Sequence, residues 1–252
     1  MSARRRLRTS AGLAAAVLLS GCGGGDVEGT ASPASPSSAS ASSSASSSSS
    51  ASPASGADLA PGLLPAEAFG TGAQVTPLTE AQLAQGAAAA GSATEDLQVT
   101  PPECAPAVQG TQPSFDEYDD VAAQVAVLGT VTTVQALASG GPAEDALDGF
   151  GQQLDRCRSV QVTSPEVGTV TIAFDELTVP ELGDGSAGVT FSTTATGPDG
   201  QQVTVPALVG MVQDGDRVLV LLRTDTSGGR LDPTAFTDLL AQAHDTQAAA
   251  LD

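Results

Sequence analysis

Between residues 167 and 224 apolar and polar side chains alternate. Val170, Ile172 and Phe174 are separated by polar neighbours. Val189, Phe191, Thr193 and Ala195 repeat the period, then Val203, Val205, Ala207, Val209 and Met211, then Val218, Val220 and Leu222. A period of two places each set on one side of a strand. Gly183-Asp184-Gly185, Gly197-Pro198-Asp199-Gly200 and Asp214-Gly215 stand between the sets. Glycine and aspartate supply the backbone that tight hairpins need, so the spacing predicts a four-strand antiparallel meander. Its last member, Arg217 to Arg223, is nearly all apolar, as a central or covered strand is. The period then changes to that of a helix. Asp232 is placed to cap it and Pro233 to open its first turn. Phe236, Leu239, Leu240 and Ala243 line one face, which is expected to lie on the sheet.

Upstream the pattern is less regular. Leu63 to Gly70 reads as a short helix stopped by glycine. Thr79 to Ala90 reads as a second short helix or an alanine-rich loop, because Gly86 and Gly91 weaken it. Residues 101–110 carry a short helix with proline in its first turn. Val121 to Leu137 is rich in Val and Thr around Gly129, which fits one long strand with a bulge or two strands. Pro142 opens a further helix. Glu144 and Asp145 lie in its first turn, Leu147, Phe150 and Leu154 form an apolar stripe, and Arg156 to Arg158 close it. Strands grouped together with helices before and after them make residues 59–252 a single α+β domain, an antiparallel meander with helices packed on it.

The first residues have another purpose. Arg4, Arg5, Arg6 and Arg8 precede an apolar run from Ala11 to Leu19 that is too short to span a bilayer. Leu19-Ser20-Gly21-Cys22 resembles the bacterial lipobox: a branched apolar residue, two small residues and a cysteine. That resemblance implies removal of residues 1–21 and lipidation of Cys22, whose thiol must reach a diacylglycerol donor at the membrane face. Each buried methylene contributes about 0.8 kcal/mol, so two or three acyl chains anchor stably where one does not. The arginine run also fits twin-arginine export, but the general secretory route fits it better. From Cys22 to Asp58 the chain is almost entirely Gly, Ser, Ala and Pro, with nothing to bury against the entropy of ordering. As a flexible coil such a tether spans about 33 Å, and its serine tract is a substrate type for O-linked sugar. The expected location is the outer face of the cytoplasmic membrane, with the domain extending into the cell wall.

Charge and cysteines narrow the function. The chain holds 9 basic and 29 acidic residues, and the four signal arginines leave with the signal. The strongly acidic remainder excludes a nucleic-acid partner or a polybasic membrane-surface protein. With Cys22 lipidated, Cys104 and Cys157 remain in an oxidising compartment, and a disulfide is the expected outcome. Closing that separation contributes about 4 kcal/mol in the loop-entropy picture. Two buried free thiols or a metal pair are the alternatives, and without companion histidines the pair makes a poor zinc site.

Catalytic sets are scarce. The single histidine, His244, sits beside the apolar stripe of the last helix and reads as a partly exposed helix residue. Gly185-Ser186-Ala187-Gly188 lacks the first glycine of a nucleophile elbow, and there is no lysine. Asp116, Glu117, Asp119 and Asp120 are the densest acids, but they miss the calcium-loop spacing and read as a solvated turn. Asp175 with Glu176, and Asp214 with Asp216, read as strand-end and turn residues. No cofactor, metal or catalytic residue is expected.

Several segments in order along the chain resemble one family: Leu63-Leu64-Pro65-Ala66-Glu67, Pro101-Pro102-Glu103-Cys104, the Val121 to Leu137 run, the Ala143 to Cys157 helix, and Val218 to Leu222 with the terminal helix. Together they resemble the extracellular sensor domain of actinobacterial PknH-type serine/threonine kinases and the free-standing lipoproteins that share it. The chain departs from that family in having Leu154 where a tryptophan often precedes the second cysteine, and in having no cysteines for a second bridge. The resemblance implies binding of a small or lipidic ligand in a cleft over the sheet, with no residue-level site carried over. A protein–protein scaffold or chaperone-like envelope factor is the alternative, and an envelope hydrolase a third. The lipid anchor is directly testable: radiolabelled palmitate enters the wild-type protein, and Cys22→Ala abolishes the label and releases the chain from the membrane fraction.

Overall fold

In a computed structural model the protein is described at residues 58–94, 97–109, 117–141, 147, 156–164, 168–197 and 200–251. Nine strands form one fully antiparallel sheet. They are β1 (Gln74–Leu78), β2 (Gln98–Thr100), β3 (Asp120–Leu128), β4 (Val131–Ser139), β5 (Ser159–Ser164), β6 (Gly168–Glu176), β7 (Gly185–Thr196), β8 (Gln202–Asp214) and β9 (Arg217–Asp225). Their spatial order is β1-β3-β4-β9-β8-β7-β6-β5-β2. The helices are α1 (Glu80–Thr94), α2 (Ala105–Gln109) and α3 (Pro233–Leu251).

The predicted meander is β6 to β9, and β9 is interior, paired with β4 on one side and β8 on the other. The Val121 to Leu137 run is two strands, turned at Gly129 with φ of +62°, where a side chain would be strained. Thr79 to Ala90 is helical. Thr79 Oγ1 accepts from the Gln82 amide at 3.3 Å while Gln82 Oε1 accepts from the Thr79 amide at 2.9 Å, a reciprocal cap that offsets the glycines. The expected helix from Leu63 to Gly70 is reduced to one 3₁₀ turn, Ala66–Phe69, which ends at Gly70 as expected, and a separate 3₁₀ turn, Ala60–Gly62, precedes it. Pro65 causes the break, because its ring excludes the helical region for the residue before it. The expected helix from Pro142 to Arg158 lies outside the described residues except at Leu147 and from Arg156 on. Strands β1, β2 and β5 were not expected.

Register assigns the core. Following partners across the sheet, Gly188, Gly210, Leu221, Gln135, Gln124 and Pro77 stand in one row on one face. Helix α3 seats on the glycine end of that row. A Cβ on Gly210 would meet Leu240 Cδ2 at 2.6 Å and Phe236 Cε1 at 3.2 Å. Phe236, Leu239, Leu240 and Ala243 are all buried there with Leu219, Leu221 and Val212, and each large side chain contributes about 1.5–3 kcal/mol. At the other end of the row the N-terminal segment docks through two buried glutamines. Gln135 Oε1 accepts from the Leu64 amide at 3.0 Å and from Gln124 Nε2 at 2.8 Å, and Gln124 Nε2 also donates to the Leu64 carbonyl at 2.9 Å.

The far end of the sheet buries its opposite face. Val160, Val162 and Val99 pack there with Val170, Ile172 and Phe174, under Cys104 and Val108. Cys104 and Cys157 are bonded, with Cα atoms 5.7 Å apart. The bridge holds the α2 end of the chain beside β5, where β2 adds only three paired residues.

Two glycine substitutions separate close approach from helix propensity. Gly210→Ala overpacks the seat of α3 and is expected to lower unfolding stability by about 1–3 kcal/mol. Gly86→Ala in α1, where an added Cβ meets nothing within 4 Å, raises it by about 0.5–1 kcal/mol. Urea denaturation of both variants measures the contrast.

Candidate functional site

Helix α3 begins at Pro233, so it covers the rows of Leu219 and Leu221 but not the next one. That next row runs Asp175, Thr190, Leu208, Arg223, Thr133, Ala126 and Val75 across seven strands on the same face. The loop between β9 and α3 crosses over it and divides it. On one side lies a hollow of about 230 Å3 walled by Phe69, Leu128, Val131 and Leu231, with Arg223 and Thr133 on its floor. On the other lies an open hollow of about 540 Å3 bordered by Asp175, Thr190, Ser192, Pro206 and Leu208. Arg230 and Leu231 line both. The result is one open trough in two parts, in which apolar walls meet the charged side chains of Arg223, Arg230, Asp232 and Asp175.

Arg223 is the unusual residue. The period of two puts it on the same face as Leu219 and Leu221, so its stem runs inward with the core residues. Its Nε donates to Thr133 Oγ1 at 3.0 Å, across the β4–β9 pair. Burial lowers its pKa from the ordinary value, and the Asp232 carboxylate works in the opposite direction. Asp232 itself is committed to the helix. Its Oδ1 accepts from the amides of Thr234 at 2.9 Å and Ala235 at 3.2 Å.

Asp225 shapes the dividing loop. Its Oδ1 accepts from the Ser227 amide at 2.9 Å and the Ser227 hydroxyl at 2.7 Å, and its carbonyl accepts from the Gly228 amide at 3.1 Å. Across the β3–β4 turn, the Thr130 carbonyl accepts from the Thr226 amide at 3.1 Å. Donation by the Ser227 hydroxyl, then by the Ser227 amide and Thr130, holds the Asp225 carboxyl below its ordinary pKa of 3.8.

The residues singled out from sequence do not converge on the trough. Asp175 alone lies at its edge. Asp116 is outside the described residues, and Asp119 and Asp120 sit at the start of β3, where Asp120 Oδ1 accepts from the Val121 amide. His244 is more enclosed than expected. Both its ring nitrogens are buried without a hydrogen-bond partner, and Nε2 lies 3.6 Å from Asp214 Oδ2. Arg217 at 3.7 Å and Gln247 Nε2 at 3.3 Å face the same carboxylate oxygen. This group ties the middle of α3 to the β8–β9 turn, away from the trough. Among the described residues no three His, Cys, Asp or Glu side chains are placed to hold a metal. Arg223 and Arg230 escaped the sequence reading. The available signal was a cation at an inward position of an otherwise apolar strand.

No protein-family model and no curated protein matches the sequence. Several solved structures are similar in fold, among them two from mycobacteria. One is the extracellular domain of PknH from Mycobacterium tuberculosis, at 15% identity and a TM-score of 0.47, covering 76% of this chain and 95% of that one. The other is an uncharacterized protein (Rv0999 ortholog) from Mycobacterium smegmatis, at 13% identity and a TM-score of 0.46, covering 71% and 90%. No residue correspondence is drawn from either.

The loop that divides the trough carries a pH dependence. Its donors favour ionised Asp225, so the folded-state pKa lies below the unfolded one. The stabilisation is full above the ordinary value of 3.8 and is lost as the pH falls through the folded value. Asp225→Asn is therefore less stable than wild type at neutral pH, and the difference shrinks on acidification below that range. Thermal melts of both proteins across pH 2.5 to 7 follow it; equal stability of the two at neutral pH contradicts the loop's dependence on this charge.

Proposed function

We propose that the chain is a membrane-anchored extracytoplasmic lipoprotein. Lipid on Cys22 holds it to the membrane, and its one folded domain binds or senses a small or lipidic ligand without transforming it. The observation that carries the reading is the uncovered sheet row beside the start of α3. It forms an open trough with apolar walls, charged side chains from Arg223, Arg230, Asp232 and Asp175, and a pre-formed floor of paired strands. Strand positions are held by backbone pairing on both sides, so a ligand there meets a surface that needs little ordering. The enclosure of His244 against Asp214 favours a binding role over catalysis, since neither ring nitrogen is offered to the trough.

The scaffold alternative calls for a broad apolar surface. Among the described residues the exposed large apolar side chains are Val127, Leu128 and Val203. Leu128 belongs to the wall of the smaller hollow, whereas Val127 beside it on β3 and Val203 on β8 stand on the opposite face of the sheet, too far apart in the strand order to make one broad patch.

Native mass spectrometry of the full chain after incubation with an envelope extract tests the reading. A bound species is expected on wild type and is expected to be lost from Val131→Trp, which fills the smaller hollow. A wild-type spectrum without any adduct overturns it.

A further inference from the structure

Taking the trough as a binding site, we propose that its smaller hollow selects a soluble organic anion. Arg223 and Arg230 take the carboxylate or phosphate head, and Phe69, Leu128, Val131 and Leu231 take a short apolar tail.

Five arginines remain after the signal and there is no lysine, against 29 acids in the whole chain. Two of those five border this one hollow, together with a single carboxylate, Asp232. A third, Arg217, lies against Asp214. Concentrating two cations at one concave place in a strongly acidic chain focuses the field where a small anion could enter, while the rest of the surface repels it.

The guanidinium is also available. Arg223 Nε is used by Thr133, which fixes the fork in orientation. Among the described residues no hydrogen bond or ion pair occupies its terminal nitrogens. The Asp232 carboxylate, which also lines the hollow and favours the charged guanidinium, has its Oδ1 held by the α3 amides. A half-buried guanidinium with two free donors in one plane matches the two oxygens of a carboxylate or phosphate. Burial has already lowered the pKa of this group, so an incoming counter-charge restores what desolvation removed.

Size sets the tail. A hollow of about 230 Å3 holds about eight groups of water size at roughly 30 Å3 each. A six-carbon acid fills it, and a long acyl chain exceeds it. Arg230 stands on the dividing loop and is exposed, so it meets the head from the rim and adds attraction that salt weakens.

The tests are a calorimetric titration of the mature chain, residues 22–252 in neutral detergent, with hexanoate, hexyl phosphate and hexanol, and a separate detergent-free measurement with vesicles of phosphatidylglycerol. Hexanoate or hexyl phosphate is expected to bind at least tenfold more tightly than hexanol. Arg223→Gln is expected to weaken the anion by about tenfold or more while leaving hexanol unchanged. Arg230→Gln, at an exposed position that folding does not need, is expected to weaken it several-fold and flatten its salt dependence. Equal affinity for hexanoate and hexanol overturns the anion assignment and leaves the trough as a binding site. Arg223-dependent binding of the vesicles without binding of either soluble anion overturns it in favour of a lipid headgroup. No binding of any probe overturns it as well. The adduct measured with envelope extract is independent of these probes, so it shows separately whether the trough binds anything.

Discussion

Phe236 and Leu240 reach the sheet because nothing projects from Gly210. A single methyl group there would stand 2.6 Å from Leu240 Cδ2, and the helix would have to lift away from strands β8 and β9. Gly188, its partner on β7, is equally bare, with Leu177 and Val179 closing over it. The two opposed glycines therefore admit two covers side by side, α3 over Gly210 and the Leu177–Val179 segment over Gly188. The 19 residues of α3 reach about 28 Å at 1.5 Å per residue, and nine strands at 4.7–4.9 Å are wider than one helix can cover. Where the seat lies decides which rows are dry and which are not.

The rest of the architecture divides the remaining surface. Next to the seat, the chain from Leu59 to Phe69 fills the same face over β3 and β4. It is held by hydrogen bonds to Gln124 and Gln135, because a segment made of two 3₁₀ turns has too few internal bonds to satisfy its own backbone. Toward β5 and β2 the burial changes to the opposite face under the disulfide. Between these covers the row of Arg223 is left with a loop in place of a helix. A loop braced by Asp225 and Thr130 closes less of the sheet than a helix does, and the trough is the gap that results.

Much of this was legible from residue order. Alternation and Gly-Asp turns marked β6 to β9 because both faces of these strands differ in polarity and the turns are short. Asp232-Pro233 marked α3 because capping chemistry is local. Strand β1 escaped because it is short and polar at alternate positions and includes Pro77, and an edge strand tolerates proline where an interior one does not. Strand β5 was hidden by the expectation of a helix running to Arg158; Val160 and Val162 alternate immediately after it. The trough was not legible. It depends on register across seven strands and on where α3 starts relative to Gly210, and no window of sequence contains both. Arg223 was visible only as the end of a nearly apolar strand whose alternation was read through Val218, Val220 and Leu222, and its pairing with Thr133 and Leu208 is what shows that it floors a hollow.

The electrostatics of the trough follow from how its neighbouring acids are used. An acidic domain with an inward arginine would ordinarily neutralise it with a nearby carboxylate. Two candidates stand close in sequence, Asp225 and Asp232, and both are occupied by backbone amides. Asp225 accepts from Ser227 and Asp232 from Thr234 and Ala235. Each of those bonds shapes the chain that frames the hollow, one the loop and the other the first turn of α3. Swinging either carboxylate onto Arg223 would leave amides unsatisfied and loosen the wall that it builds. The same geometry that makes the concavity thus leaves Asp232 beside Arg223 as a partial counter-charge, with Oδ1 kept on the helix amides.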